Sequence, residues 1–314
     1  MRSMYAALVL LGMANLVPWM TFLSLADYFM DTYGTNAMEF QFPVLSTAAL
    51  VVTSALLLVL GSRLSFNARI ALPTVFMTGL IFVVPSVDVL LRLRLIDPSV
   101  GFNLTLLSVP LNAMFSASAQ NSLYALASLL GDEATQALQT GNGVIGMVAV
   151  CLRVATKLGL PPSPAMWTFC LGGAAILFAS LCGYTSIRND PSARQRLAAH
   201  EQRRALRYAA ARQSAREMPP SAEPMLSDSE SGRSSAATCS VLGRVWVQSA
   251  SVFAVFVVCL STFPGLTTSL ESTGGLGSWY PIALVAAYNS GDLLGKGEAA
   301  KDRTCPNVVS RMCM

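Results

Sequence analysis

Asn289, Asp292 and Lys296 stand at i, i+3 and i+7 in the stretch "YPIALVAAYNSGDLLGK". On a helix this spacing puts an amide, a carboxylate and an ammonium on one face. An acid and a base four residues apart partly neutralise each other. Together the three groups offer donors and acceptors in one strip, which suits a polyhydroxylated ligand better than an inorganic ion. The alternative is a helix end at the inner membrane interface, with the apolar stem of Lys296 carrying its ammonium to water. Composition alone leaves both open.

Three further sets place unusual residues inside apolar surroundings. In "LVPWMTF", Pro18 removes a backbone hydrogen bond, and Trp19 follows it. A helix bent there would present an indole to an aromatic ligand, or Pro18 would be a packing kink. In "SASAQNSLYA", Ser116, Ser118, Gln120, Asn121, Ser122 and Tyr124 crowd a short length of chain. Such groups in lipid must find partners, as glue between helices or as the lining of a wet cavity. In "GNGVIGMVAVCLRVATK", Gly143 and Gly146 permit close helix approach, and Arg153 and Lys157 stand near the far end. Asp88 reaches a similar depth and is a candidate partner for Arg153, but the preferred reading is that both snorkel to water.

The elements that must position these residues follow from composition. Of the 314 residues 53% are hydrophobic and 12% charged, and mean hydropathy is +0.53. Soluble domains carry about 25% charged residues, so this chain reads as a membrane protein. Its charges are clustered, leaving apolar gaps long enough for helices of roughly 20 residues, the length that crosses a bilayer core of about 30 Å. Spans are expected near 4–26, 42–62, 70–91, 104–130, 136–158, 165–186 and 245–268, with an eighth from 279. Continuous apolarity favours helices over barrel strands, which alternate. The first segment has a signal-like start, but its apolar run continues past Trp19 without a small-residue cleavage site and reads as a retained span.

This gives an all-α, polytopic helix bundle of about eight transmembrane helices. Residues 1–187 form an N-terminal six-helix bundle. Residues 188–243 form a polar loop, largely disordered, with a basic first half and a Pro- and Ser-rich second half. Residues 244–297 hold helices seven and eight, and 298–314 form a polar tail. Ten arginines between Arg188 and Arg244 mark that loop as cytoplasmic, and the six preceding spans put the N-terminus on the same side. Arg92 and Arg94 run against this assignment. The seven cysteines and the single His200 offer no metal-ligand set. No phosphate-binding loop or hydrolase motif is present. Enzyme activity, cofactors, metals and nucleic-acid partners are therefore not expected.

"YNSGDLLGK" resembles the N-x-x-D-x-x-G-[RK] signature of the eighth span of equilibrative nucleoside transporters. "LVPWMTFLSLADYF", "SAQNSLYALASLL", "GNGVIGMVAVCLRVATK" and "CLSTFPGLTTSL" resemble that family's first, fourth, fifth and seventh spans, in the same order. The resemblance implies a major-facilitator-like, eleven-helix carrier that moves nucleosides, in some members nucleobases or organic cations, by alternating access. It implies that Trp19 contacts the base, that Asp292 and Lys296 bind ribose hydroxyls, that Asn289 supports them and that Gln120 lines the cavity. Pro18, Gly143 and Gly146 would be structural or hinge positions.

Departures from the pattern are Met20 in place of Asn, Leu126 where some members have Gln, and Lys296 in place of Arg, which loses the bidentate fork. Asn142 stands where a cation-carrying branch has an acid, which argues against organic cations. The apolar run stops after Lys296, so Asp292 is expected near the inner surface, and three further family spans are missing. The chain therefore reads as truncated, with an incomplete second half. Two functions follow as expectations. One is facilitated nucleoside transport in a membrane, the plasma membrane ahead of an organelle. The other is a non-transporting polypeptide that associates through its helices with a full-length homologue.

Overall fold

The computed structural model describes residues 2–33, 37–60, 65–191, 193–196 and 279–302, with scattered positions between 198 and 275. The elements are α1 (Arg2–Ser24), α2 (Ala26–Tyr33), α3 (Ala37–Leu60), α4 (Phe66–Leu80), α5 (Val83–Arg92), α6 (Pro98–Leu130), α7 (Asp132–Gly159), α8 (Pro162–Asn189) and α9 (Tyr280–Asp302). All belong to one compact unit, Met1–Ala193 with Pro264–Met314; Arg194–Phe263 form a second unit, of which only scattered positions are described. No strand occurs among the described residues.

Five segments are long and apolar enough to cross a membrane: Met4–Ser24, Asn67–Arg92, Pro98–Leu130, Asp132–Gly159 and Ser163–Asn189. A shorter apolar helix covers Gln41–Leu57. The chain is an all-α, multi-pass membrane protein. Most of the seventh expected span, 245–268, and most of the polar loop lie outside the described residues. The third expected span is two helices, α4 and α5, separated at Ile81 and Phe82. Pro85 explains the break, because its ring excludes the carbonyl of Ile81 and it has no N–H to donate.

Close contacts fix the directions of the helices. The Tyr5 hydroxyl donates to Glu133, and Gly12 lies against Gly141 and the Leu138 carbonyl, so α1 and α7 run parallel. At Gly12 and Gly141 the neighbour of each is main chain, and no side chain would fit. Gly131 alone joins α6 to α7, with φ 117°; this left-handed conformation favours glycine and turns the chain back on itself. In α8, Gly183 meets Ala7, and Gly173 meets Val17, so α8 is antiparallel to α1. Phe76 stacks on Phe115 with ring centroids 4.9 Å apart, tying α4 to α6. Asn121 Nδ2 donates to Ser54 Oγ at 2.9 Å, tying α3 to α6.

The core has a central cluster and a distal one. The central cluster joins Ala14, Val17, Met77, Ile81, Ala119, Ile145 and Leu177. The distal cluster, at the end of the bundle away from Tyr5 and Glu133, gathers Phe22, Leu25, Tyr28, Phe29, Phe42, Val84, Val109, Met166 and Cys170. Asp88 lies buried beside it. Its ion-pair partner is Arg92, whose Nε lies 2.8 Å from Asp88 Oδ2, and not the candidate Arg153. Ser163 Oγ donates to the same oxygen at 2.9 Å, and the Tyr28 hydroxyl donates to Oδ1 at 2.7 Å. A carboxylate already receiving three donors has no need of a residue on α7. Arg153 is itself buried on α7.

Candidate functional site

Asp292 and Lys296 form an ion pair with Nζ donating to Oδ2 at 2.5 Å; their side chains are 35% and 28% exposed. Both sit on α9, which is antiparallel to α7. Gly143 faces Leu293 and the Lys296 stem, and Gly146 faces the Asn289 side chain. A Cβ on Gly146 would lie 2.6 Å from Asn289 Cγ, so only glycine lets α9 approach this closely. Ser290 Oγ adds a contact to Met147 Sδ at 3.4 Å. Among the described residues α7 is the one helix α9 packs against along its length.

The depth of this strip differs from the expectation drawn from its apolar run. Gly143 is the twelfth of the 28 residues of α7, about 17 Å along the helix at 1.5 Å per residue. Asp292 and Lys296 therefore lie beside the middle of α7 and not at its end. The reason is that "GEAAKD", although polar, is made mostly of good helix formers, and α9 continues through it to Asp302.

Three consecutive residues of α7 face three different helices. Gly141 meets Val9, Gly12 and Met13 of α1. Asn142 donates from Nδ2 to the Tyr124 hydroxyl of α6 at 2.8 Å. Gly143 meets α9. At about 100° per residue, the amide of Asn142 thus projects between the directions of α1 and α9. It is buried, and its Oδ1 has no hydrogen-bond partner among the described residues. Gln120 lies one turn before Tyr124 on α6. Gln120, Tyr124 and Asn142 form a polar hub where α1, α6, α7 and α9 come together.

Trp19 is half-buried on α1, one residue after the buried Pro18. The helix continues through Pro18 to Ser24. The structure brings Asn289, Asp292, Lys296, Gly143 and Gly146 into one seam, and Gln120 into the hub beside it. It does not join Trp19 to that seam: among the described residues no hydrogen bond or ring contact links Trp19 to α9. Asn289 faces Gly146 and donates to its own helix at Val285 O, 2.9 Å away; it is turned into the seam. Met20 and Leu126, the two apolar departures, are buried. The sequence reading passed over Asn142 and Tyr124 as site residues. The available signal was an amide held between two glycines, a pattern that lets neighbouring helices close on both sides of a polar group.

The nucleoside transporter family model matches residues 106–303. Equilibrative nucleotide transporter 8 of Arabidopsis thaliana is 25% identical over 306 residues, which cover 95% of this chain and 70% of that protein. Equilibrative nucleotide transporter 1 of the same plant is 26% identical over 300 residues, covering 91% of this chain and 62% of that protein. Equilibrative nucleoside transporter 4 of Homo sapiens is 30% identical over 166 residues, 52% of this chain and 31% of that protein. The family match takes in most of α6 and all of α7 and α9, the helices that carry the hub and the charged strip, and it makes the chain a member of the nucleoside transporter family.

Proposed function

We propose that the chain is a carrier that moves nucleosides, and nucleobases with them, across a membrane by facilitated diffusion with alternating access. The observation that carries this reading is the Asp292–Lys296 pair, partly exposed at mid-depth of an apolar bundle. A charge at that depth is costly and is kept for a task. Paired, the two groups leave carboxylate lone pairs and ammonium protons for sugar hydroxyls while carrying little net charge. That balance favours a nucleoside over a nucleotide, whose phosphates would need cations that Asp292 does not already neutralise. In this reading Trp19 stacks on the base, Gln120 lines the cavity, Asn289 holds α9 in register, and Gly143 and Gly146 let α9 lie on α7. Pro18 is the hinge of α1. The proposed location is the plasma membrane, with the N-terminus in the cytoplasm.

Uptake of labelled uridine into proteoliposomes containing the full chain tests the proposal. Substrate-saturable uptake that Asp292→Asn removes, at equal amounts of folded protein, is the expected result. Leu294 on α9 is 69% exposed, and this apolar surface favours a second reading, helix–helix association with a full-length homologue. Absence of uptake by the chain alone, with co-purification of such a homologue, would replace the first reading by the second.

A further inference from the structure

Two buried amides on α1 and α6 have unused hydrogen-bonding capacity of opposite kind. Asn15 and Asn112 are each 3% exposed. Ser116 Oγ donates to Asn15 O at 2.9 Å and lies 3.4 Å from Asn15 Oδ1, but Asn15 Nδ2 has no partner among the described residues. Asn112 Nδ2 donates to Ser108 O at 3.2 Å, while Asn112 Oδ1 has no partner. What is left over is one donor from α1 and one acceptor from α6. In an apolar bundle each such group costs free energy unless something occupies it.

Their placement relates them to Trp19. Asn15 and Trp19 are one turn apart on α1, and Asn112 and Ser116 are one turn apart on α6, so each pair shares a helix face. The Ser116–Asn15 bond brings the two faces together. Because α1 runs antiparallel to α6, the turn of α6 beyond Ser116 that carries Asn112 lies toward the turn of α1 that carries Trp19. An aromatic platform and a complementary donor and acceptor thus lie within a turn of one another.

We infer that Asn15 and Asn112 read the edge of a nucleobase that presents a donor next to an acceptor, with Trp19 as the surface on which its ring rests. This rests on the transport reading above and adds to it the residues that select the base. Side-chain amides suit such an edge because they supply one donor and one acceptor in fixed geometry. The imide edge of uracil, N3–H beside a carbonyl, is a matching probe: N3–H donates to Asn112 Oδ1, and the carbonyl accepts from Asn15 Nδ2.

The test compares uridine with 3-methyluridine, which lacks the N3 donor, by titration calorimetry on the purified full chain in detergent. Losing one hydrogen bond to a site built for it weakens binding steeply, and a preference for uridine of about tenfold or more is expected of the wild type. Asn112→Leu is expected to bind both ligands within about twofold of each other. Equal binding of the two ligands by the wild type overturns the base-edge assignment alone and needs no variant. A preference that survives Asn112→Leu also overturns it, leaving an internal water as the partner of these amides. No binding of uridine by the wild type overturns the nucleoside reading and this inference with it.

Discussion

Asp88 and Asp292 occupy nearly the same local pattern, "DVLLR" from Asp88 to Arg92 and "DLLGK" from Asp292 to Lys296. Each forms an ion pair with a cation four residues on. Their surroundings are opposite. The Asp88 side chain is 6% exposed and receives donors from Tyr28, Arg92 and Ser163 on three helices. The Asp292 side chain is 35% exposed, and its one donor among the described residues is Lys296. One carboxylate is used up in joining α2, α5 and α8. The other keeps free lone pairs at mid-depth. The same four-residue spacing is thus a fastening in one place and an open site in the other, and what distinguishes them is the number of donors from other helices.

Exchanging charge for amide at the two positions would separate these roles most sharply. Asp292→Asn should lower uridine uptake at least about tenfold, equivalent to about 1.4 kcal/mol of lost binding, with thermal stability unchanged. Asp88→Asn should do the reverse. It weakens the donor contacts from Tyr28 and Ser163 to a buried charge, each worth about 1.5–3 kcal/mol when intact, so the melting temperature in detergent should fall, while uptake per folded molecule stays near the wild-type value. Equal loss of stability in both variants would mean that Asp292 is as structural as Asp88.

Gly146→Ala comes next. Its added Cβ overlaps the Asn289 side chain, and overpacking of this kind costs about 1–3 kcal/mol. Gly143→Ala meets Leu293 Cδ1 and Lys296 Cδ at 3.2 and 3.3 Å, with the Leu293 main chain at 3.6 Å, and should cost less. Thermal melts that rank the two in the other order would show that Asn289 does not fix the α7–α9 seam.

The membrane class and the positions of most spans are readable in the sequence because lipid demands long apolar runs and charge gaps reveal them. The charged strip is readable too, because Asp292 and Lys296 follow an apolar run, although α9 is not among the described helices long and apolar enough to cross a membrane. The depth of that strip was not, since the apolar run ends at Lys296 and gives no sign that the helix continues through "GEAAKD". The partner of Asp88 was misjudged for a related reason. Depth along a span can be estimated from sequence, but which face of a helix meets which neighbour cannot, and Arg92, one turn on, was not weighed as the partner. The Asn142 hub was missed because its meaning depends on Gly141 and Gly143 touching different helices, a property of packing and not of spacing.

Tyr28 offers a pH test confined to the saturated cluster. Burial, followed by its bond to Asp88, raises its hydroxyl above the ordinary value of 10.0. The folded state holds this proton more tightly than the unfolded chain does. The associated stability is therefore complete below pH 10 and is lost as pH rises through the folded-state value. Tyr28→Phe should cost about 1 kcal/mol at neutral pH and should flatten the alkaline fall in stability. An alkaline fall identical in the variant would place its origin elsewhere.

The smallest effect is expected at Arg92. Its side chain is 57% exposed although its Asp88 partner is buried, so water screens the attraction and competes for the guanidinium. Exposed partners of this kind contribute about 0–1 kcal/mol, and Tyr28 and Ser163 still hold the carboxylate when Arg92 is removed. Arg92→Ala should therefore change the melting temperature far less than Asp88→Asn. Lys296→Ala provides the counterpart in the open pair, since Asp292 has no second donor there among the described residues. Its effect should appear in uridine uptake and exceed the effect of Arg92→Ala on any readout. If instead Arg92→Ala were as destabilising as Asp88→Asn, the distal carboxylate would depend on its cation, and the number of donors would not be what separates the two pairs.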